Sequence, residues 1–376
     1  MEHYLDNAAT TKVCDEAAQA ALAAMTGNYG NPSSTHTKGR EANRLLETAR
    51  KQVSSALGCT PGELVFTSCG SESDNWAILG GAEAMKRKGK HVISSAVEHD
   101  AVRRSLDELE SRGFEVTRLA PDEKGGISVD SVVSALRDDT ILVSLMLVNN
   151  ETGAVTDISS IAKAVKKLCP AALVHTDAVQ GFMKVPFSAK TLGADMISIS
   201  GHKIHAPKGI GALYIKNGLK LKPFIVGGSQ ESGRRAGTEA MPQIAAFGAA
   251  CEIARAGMAE NIARMDALRA RAVERLSRDI PELVLIGGGS PHILSISLPG
   301  WRSEVLMNFL EAKEVYVSRS SACKKGGRSH VLEAMGLSSR VIDGAIRIGL
   351  SRFTTEEDID ALCAALKDAH DTLAHR

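Results

Sequence analysis

The sequence predicts an α/β protein: a mostly parallel central sheet covered by helices, followed by a small α+β C-terminal domain. Three observations predict it. Between about residues 60 and 216, short apolar, β-branched runs alternate with helix-compatible segments, and continuous apolar strands between helices belong to a sheet covered on both faces. The unusual polar residues fall just after those runs, where such a sheet collects its loops. A long helical stretch, roughly 241–279, then leads to a second region with strands of its own. The expected organisation is an N-terminal segment (1–14) packing with the small domain, a large ligand-binding domain (15–258), and a small domain (259–376) that carries Cys323.

The elements follow in order. Strands are expected at ELVFTS (63–68), HVISSAV (91–97), FEVTRLA (114–120), TILVSLMLV (140–148), ALVHTDAV (172–179), DMISIS (195–200) and GALYIK (211–216). Helices are expected between them at 71–89, 100–113 and 157–169. In the small domain, strands are read near 282–287, 292–298, 315–318 and 345–351, with a closing helix from about 355. No internal repeat or low-complexity linker interrupts the pattern.

Composition excludes several classes of function. The 376 residues are 44% apolar and 24% charged, as in a soluble globular protein. Forty-five basic against 44 acidic residues give a net charge of +1, and without a basic stripe no direct nucleic-acid partner is expected. The longest strongly apolar run, 141–148, falls far short of the ~20 residues that span a bilayer, so no membrane partner is expected. MEHYLDNAATT lacks the apolar core of a signal peptide, and the expected location is cytoplasmic. The seven cysteines include no CxxC pair, which argues against a disulfide framework and a locally built metal site. His202 and His205 lie three apart with no partner cluster, so no metal site is expected.

Beyond the strand ends, TSCGSESDN (67–75) opens a helix with small and hydroxyl residues. Its backbone N–H groups and Ser71 suit a phosphate, although an ordinary capping turn has the same composition. There is no GxGxxG and no Walker GK[ST], so neither a dinucleotide nor a nucleoside triphosphate is favoured. In SISGHKIHAPKGIG (198–211), Lys203 directly follows a buried strand and is placed to form a Schiff base, with Ser200 and His202 able to donate to the same phosphate. Lys208 competes for the role from beyond a proline. Asp177 ends another strand, where a buried aspartate is costly without a cation. A protonated pyridine nitrogen is such a cation, and a helix N-cap is the alternative reading. Cys323 sits in SRSSACKKGGRS (318–329) without apolar neighbours, either an incidental loop thiol or a reactive one.

The segments YLDNAATT (4–11), GNPSSTH (30–36), FTSCGSESDN (66–75), EHDAV (98–102), VNNETGAV (148–155), HTDAVQ (175–180), SISGHKIHAPKGIGALYI (198–215), RRAGTEA (234–240), SSAC (320–323) and IRIGLSRFTTEEDID (346–360) resemble the cysteine desulfurases. These are pyridoxal 5′-phosphate enzymes of fold type I, the aminotransferase fold, and the resemblance covers nearly the whole chain in the family's order. It implies that Lys203 binds the cofactor covalently, His99 stacks on its ring, Asp177 pairs with the ring nitrogen, and Asn150 and Gln180 neighbour the ring oxygen. Gly70, Ser71, Ser200 and His202 would hold the phosphate, with Ser71 standing where the family usually has threonine. Thr238 would reach the phosphate of a second subunit, implying a homodimer. Arg352, helped by Asn150, would take the carboxylate of L-cysteine. Cys323 would accept its sulfur as a persulfide, leaving alanine, and pass it to an acceptor protein or small thiol for iron–sulfur clusters or for thio-cofactor or tRNA thiolation.

The chain departs from the family around Cys323. Arg319 interrupts the usual small lead-in, Lys324 and Lys325 follow the thiol, and the distance to SHVLEAMG (329–336) looks about two residues shorter than in the long-loop branch. An acidic or specialised acceptor, or a small thiol, is therefore expected. A selenocysteine lyase or another fold-type I aminotransferase would keep Lys203, Asp177 and Arg352 and depend less on Cys323. A non-enzymatic sulfur carrier on the same scaffold would bind no cofactor at Lys203.

Overall fold

The computed structural model describes residues 2–319 and 328–373. In chain order its strands are β1 (His3–Tyr4), β2 (Leu64–Thr67), β3 (His91–Ser95), β4 (Glu115–Leu119), β5 (Thr140–Ser144), β6 (Leu173–Asp177) and β7 (Met196–Ser200). They continue with β8 (Gly211–Ile215), β9 (Val284–Ile286), β10 (Ile293–Ser297), β11 (Val315–Tyr316), β12 (Ser318–Arg319) and β13 (Ala345–Gly349). The central sheet has the order β2-β8-β7-β6-β5-β3-β4. Its pairs are parallel except those of β8, which runs antiparallel to both β2 and β7.

Composition explains the sheet. Every residue of β2, β3, β5, β6, β7 and β8 is buried, and each branched or aromatic side chain taken out of water contributes about 1.5–3 kcal/mol. The edge strand β4 instead exposes Glu115 and Arg118, charges that discourage pairing with a further strand. The apolar reading of 140–148 overruns the strand: regular pairing stops at Ser144, and residues 145–150 turn into a loop over the carboxyl end of the sheet. That loop carries Met146 and Asn150 to the candidate site.

The helical stretch expected at 241–279 is two helices, Met241–Ala256 and Met258–Asp279, meeting at Gly257. Ile244, Ala246, Phe247 and Ala250 of the first pack into the core beneath the large sheet. Met265, Leu268, Ala272 and Leu276 of the second belong to the separate core of the small domain. That domain is built on an antiparallel sheet of order β12-β13-β10-β9.

The N-terminal segment crosses between the two cores. β1 pairs in parallel with β11, Leu5 is buried in the small-domain core and Ala8 in the large one. At the crossing Gly349 donates to the Leu5 carbonyl at 2.6 Å and accepts from Asn7 N at 3.2 Å. A Cβ on Gly349 would lie 2.5 Å from Ala8 N, so only glycine lets the two backbones come this close. Ala8 and Ala9 are thereby held at the site.

Candidate active site

A cavity of about 340 Å³ opens beyond the carboxyl ends of the parallel strands. Each strand delivers its residues from the turn that follows it: Gly70 and Ser71 after β2, His99 after β3, Asn150 after β5, Asp177 and Gln180 at and after β6, Ser200 and Lys203 at and after β7. His202 completes this wall. The turn after β2 runs straight into a helical stretch, Gly70–Asn75 and on through Gly81–Met85, so the N–H groups of Gly70 and Ser71 stand in a first turn without intrahelical acceptors.

The Lys203 amine donates to the carbonyls of Ala8 and Ala9, both at 2.7 Å. Gln180 reaches the same segment, its Nε2 donating to the Ala8 carbonyl at 2.8 Å. His99 caps the helix Asp100–Ser111, its Nδ1 accepting from Ala101 N at 3.1 Å, and this fixes the ring at the cavity wall. Burial, reinforced by the charge of Lys203, pulls His202 down to about 4, so its ring is neutral near pH 7. The hydroxyl of Ser200 is buried and has no hydrogen-bond partner among the described residues.

Asp177 is buried, and one oxygen accepts from Val179 N at 2.9 Å. Burial raises the affinity of its carboxyl for a proton, against the lowering pull of His99 and Lys203. Behind it the fully buried Asp74 is pushed well above the carboxylate range, by burial first and by the charge of Asp177 second. His175, on β6, binds Ser144 and Ser198 through its two ring nitrogens at 2.8 and 3.0 Å, and burial takes it down to about 3. Glu98 is held by the Ser95 hydroxyl at 2.6 Å and Met146 N at 3.1 Å, and burial raises it to about 8. Low-dielectric surroundings thus hold Asp74, Glu98 and His175 neutral and make Asp177 the carboxylate best placed to meet a cation.

Arg352 is not at this cavity. It follows β13 past Ser351, where its guanidinium stacks 4.9 Å from the ring of Phe353 and lines a different hollow with Lys12, Glu16 and Asp358. Three arginines do line the cavity: Arg103, paired with Asp100 at 2.6 Å, Arg328, paired with Asp343 at 3.1 Å, and Arg347, in the middle of β13. Strand alternation is the physical reason for the last: Ile346 and Ile348 point into the small-domain core, so Arg347 points the other way. Its guanidinium donates to the Asn150 carbonyl at 2.8 Å, to the Asp6 carboxylate at 3.1 Å and to the Ser318 hydroxyl at 2.7 Å. Its Nε is buried without a partner among the described residues. The signal was present in AIRIGL: a lone charge inside a period-2 apolar strand.

Thr238 is exposed and does not line the cavity of its own chain. Cys323, Lys324 and Lys325 lie outside the described residues. Arg319, just before them, pairs with Glu304 at 2.8 Å. Just after them, Ser329 caps the helix His330–Ala334 and donates to the buried Glu151 at 2.5 Å. Among the described residues no group of His, Cys, Asp and Glu could hold a metal ion, and no helix is long and apolar enough to cross a membrane.

Residues 3–362 match the model of the class-V aminotransferase family. The cysteine desulfurase IscS of Methanosarcina thermophila is 43% identical over 362 residues, covering 95% of this chain and 89% of the relative. A cysteine desulfurase of Trichormus azollae is 42% identical over 370 residues, covering 97% and 92%. Among solved structures, one described as a NifS-like protein superposes with a TM-score of 0.94 at 37% identity, covering 99% of this chain and all of the other.

Proposed function

The chain belongs to the cysteine desulfurases of the class-V aminotransferase family, and from that premise we propose that its 340 Å³ cavity holds pyridoxal 5′-phosphate on Lys203 and takes L-cysteine with its carboxylate on Arg347. The observation that carries this reading is the convergence, on one cavity, of a strand-end lysine, a buried aspartate and a buried serine hydroxyl without a partner among the described residues. Those residues fit the cofactor. Ser200, Ser71, His202 and the first N–H groups of the helical stretch suit its phosphate, and the Asp177 carboxylate, raised by burial, suits its protonated ring nitrogen.

Bound there, pyridoxal phosphate supplies an electron sink for the pair released when the substrate Cα–H bond breaks. The chain's own residues do the rest. Lys203, once free, takes the α-proton. Asp177, ionised, keeps the ring nitrogen protonated. His99, fixed at the cavity wall by its capping bond to Ala101, would hold the ring and could take a proton from the substrate thiol. Arg347 offers the carboxylate a charge already oriented by Asn150 and Asp6. The Cys323 thiolate attacks the substrate sulfur: an S–S bond forms, the C–S bond breaks, its electron pair stays on carbon, and protonation there yields alanine. The persulfide then passes to an acceptor protein or small thiol. Thr238 serves the neighbouring copy in a homodimer, and the enzyme works in the cytoplasm.

Incubation of the purified chain with L-cysteine tests the reading. Alanine should form in step with sulfide and a persulfide on Cys323 in the intact mass. Cys323→Ala should abolish all three while leaving cofactor binding intact. Alanine formation unaffected by that substitution would instead favour a lyase or transaminase that does not use this thiol.

A further inference from the structure

A second lysine lies behind the first. Lys184 follows β6 by a tight turn, its N–H donating to the Gly181 carbonyl at 3.0 Å, and its side chain is 5% exposed. The amine has no hydrogen-bond partner among the described residues, and the charges acting on it, those of Lys203 and Arg347, are both positive. Burying an ammonium without an acceptor is costly, and methionine would fill the same volume without that cost. Lys184 and Lys203 share an inner cavity of about 30 Å³, together with His205, Ser351 and Arg352. Lys203 also lines the main site, so it forms the partition between the two spaces.

Arg352 and His205 face Lys184 across the cavity. Arg347 from β13 and Lys203 bear on it, and it bears in turn on His202 and on His292 before β10. His292 is fully buried, with both ring nitrogens unpartnered among the described residues. The charges that act directly on Lys184 are those of Lys203 and Arg347, with Asp6 paired to Arg347 and Asp177 acting on Lys203, so the two amines do not readily carry a positive charge together. Lys203 has the carbonyls of Ala8 and Ala9 to hold its ammonium. Burial lowers Lys184 to about 7, so near neutral pH its amine is divided between the charged and the neutral form.

We propose that the two amines share protons across the inner cavity, Lys184 taking the proton that Lys203 must shed before it can attack a carbonyl carbon. An N–H bond breaks at Lys203 and one forms at Lys184, carried by a water for which a cavity of ~30 Å³ has room. Charge is conserved, and the proton leaves on the side away from the ligand. Once Lys184 is charged, repulsion keeps Lys203 neutral. Lys184 acts through Lys203 and is a positioning residue. This inference rests on the assignment of Lys203 as the cofactor lysine.

The test uses the full chain stripped of cofactor. Reductive methylation by formaldehyde across a pH series, read on the Lys203 peptide by mass, reports the fraction of that amine that is neutral. Lys184→Met should move its midpoint alkaline by about one pH unit, and Lys184→Arg, a permanent charge, should move it acid by a similar amount. Lys184→Gln should follow the methionine variant and replaces it if that variant does not fold. A structural role would not move the midpoint in opposite directions. Midpoints that stay put, or that move the same way, overturn the proposal. Capture of pyridoxal phosphate by the same samples, followed by absorbance, is scored separately: its failure in the unsubstituted chain would refute the cofactor assignment while leaving the methylation result to judge the amine pair.

Discussion

The guanidinium of Arg347 donates to the backbone carbonyl of Asn150 at 2.8 Å, tying the central strand of the small-domain sheet to the loop after β5. One bond thus sets where a substrate carboxylate can sit relative to the large sheet, because Arg347 comes from one domain and Asn150 from the other.

Replacing Arg347 with lysine keeps a charge but loses the planar fork. The KM for L-cysteine should rise by about 10- to 100-fold, the worth of one lost charge-assisted hydrogen bond or two. Arg352→Lys, on the far side of β13, should stay within about twofold in steady-state kinetics. The reverse ranking would restore Arg352 as the substrate arginine.

Asp177→Asn removes the buried carboxylate that ends β6 at the cavity while keeping size and the bond from Val179. The turnover number should fall by about 100-fold or more, the usual scale for losing a preorganised electrostatic partner. Cofactor should still be retained, through Lys203 and the phosphate contacts. Single-turnover kinetics with L-cysteine, together with the visible spectrum, separate loss of chemistry from loss of binding.

Glu98 makes a pH prediction for stability. Its carboxyl is raised by burial to about 8, above its value in an unfolded chain, so the folded state binds the extra proton. Its contribution is fully present below about pH 4.3 and is lost as pH rises through 8. Glu98→Gln keeps an acceptor for Ser95 and Met146 N but cannot ionise. The Tm of the variant should therefore fall less between pH 5 and pH 8.5 than that of the unsubstituted chain, as scanning calorimetry would show. Parallel curves would mean that Glu98 does not titrate in this range.

The architecture was legible because buried parallel strands are written as continuous apolar runs, and because a strand-end aspartate or lysine is costly enough to need a reason. Lys203 and Asp177 could be found that way, and the structure puts both on one cavity. Other parts were hidden for physical reasons. The reversed direction of β8 is invisible in GALYI, since burial on both faces looks the same whichever way a strand runs. The carbonyls of Ala8 and Ala9 that hold Lys203 belong to backbone, which no side-chain pattern encodes. Lys184 sits in an apolar context that reads as a solvated loop until burial is known. The family resemblance implied Arg352 for the substrate carboxylate, whereas the period-2 alternation of β13 brings Arg347 to the cavity.

The most direct measurement concerns the covalent anchor. The full chain is incubated with pyridoxal 5′-phosphate, reduced with borohydride, digested, and the modified lysine located by peptide mass. The expected result is a single modified peptide with the cofactor on Lys203, absent from a Lys203→Ala variant. Modification at Lys208 or Lys184 instead, or none at all, would contradict the assignment on which the site and its chemistry depend.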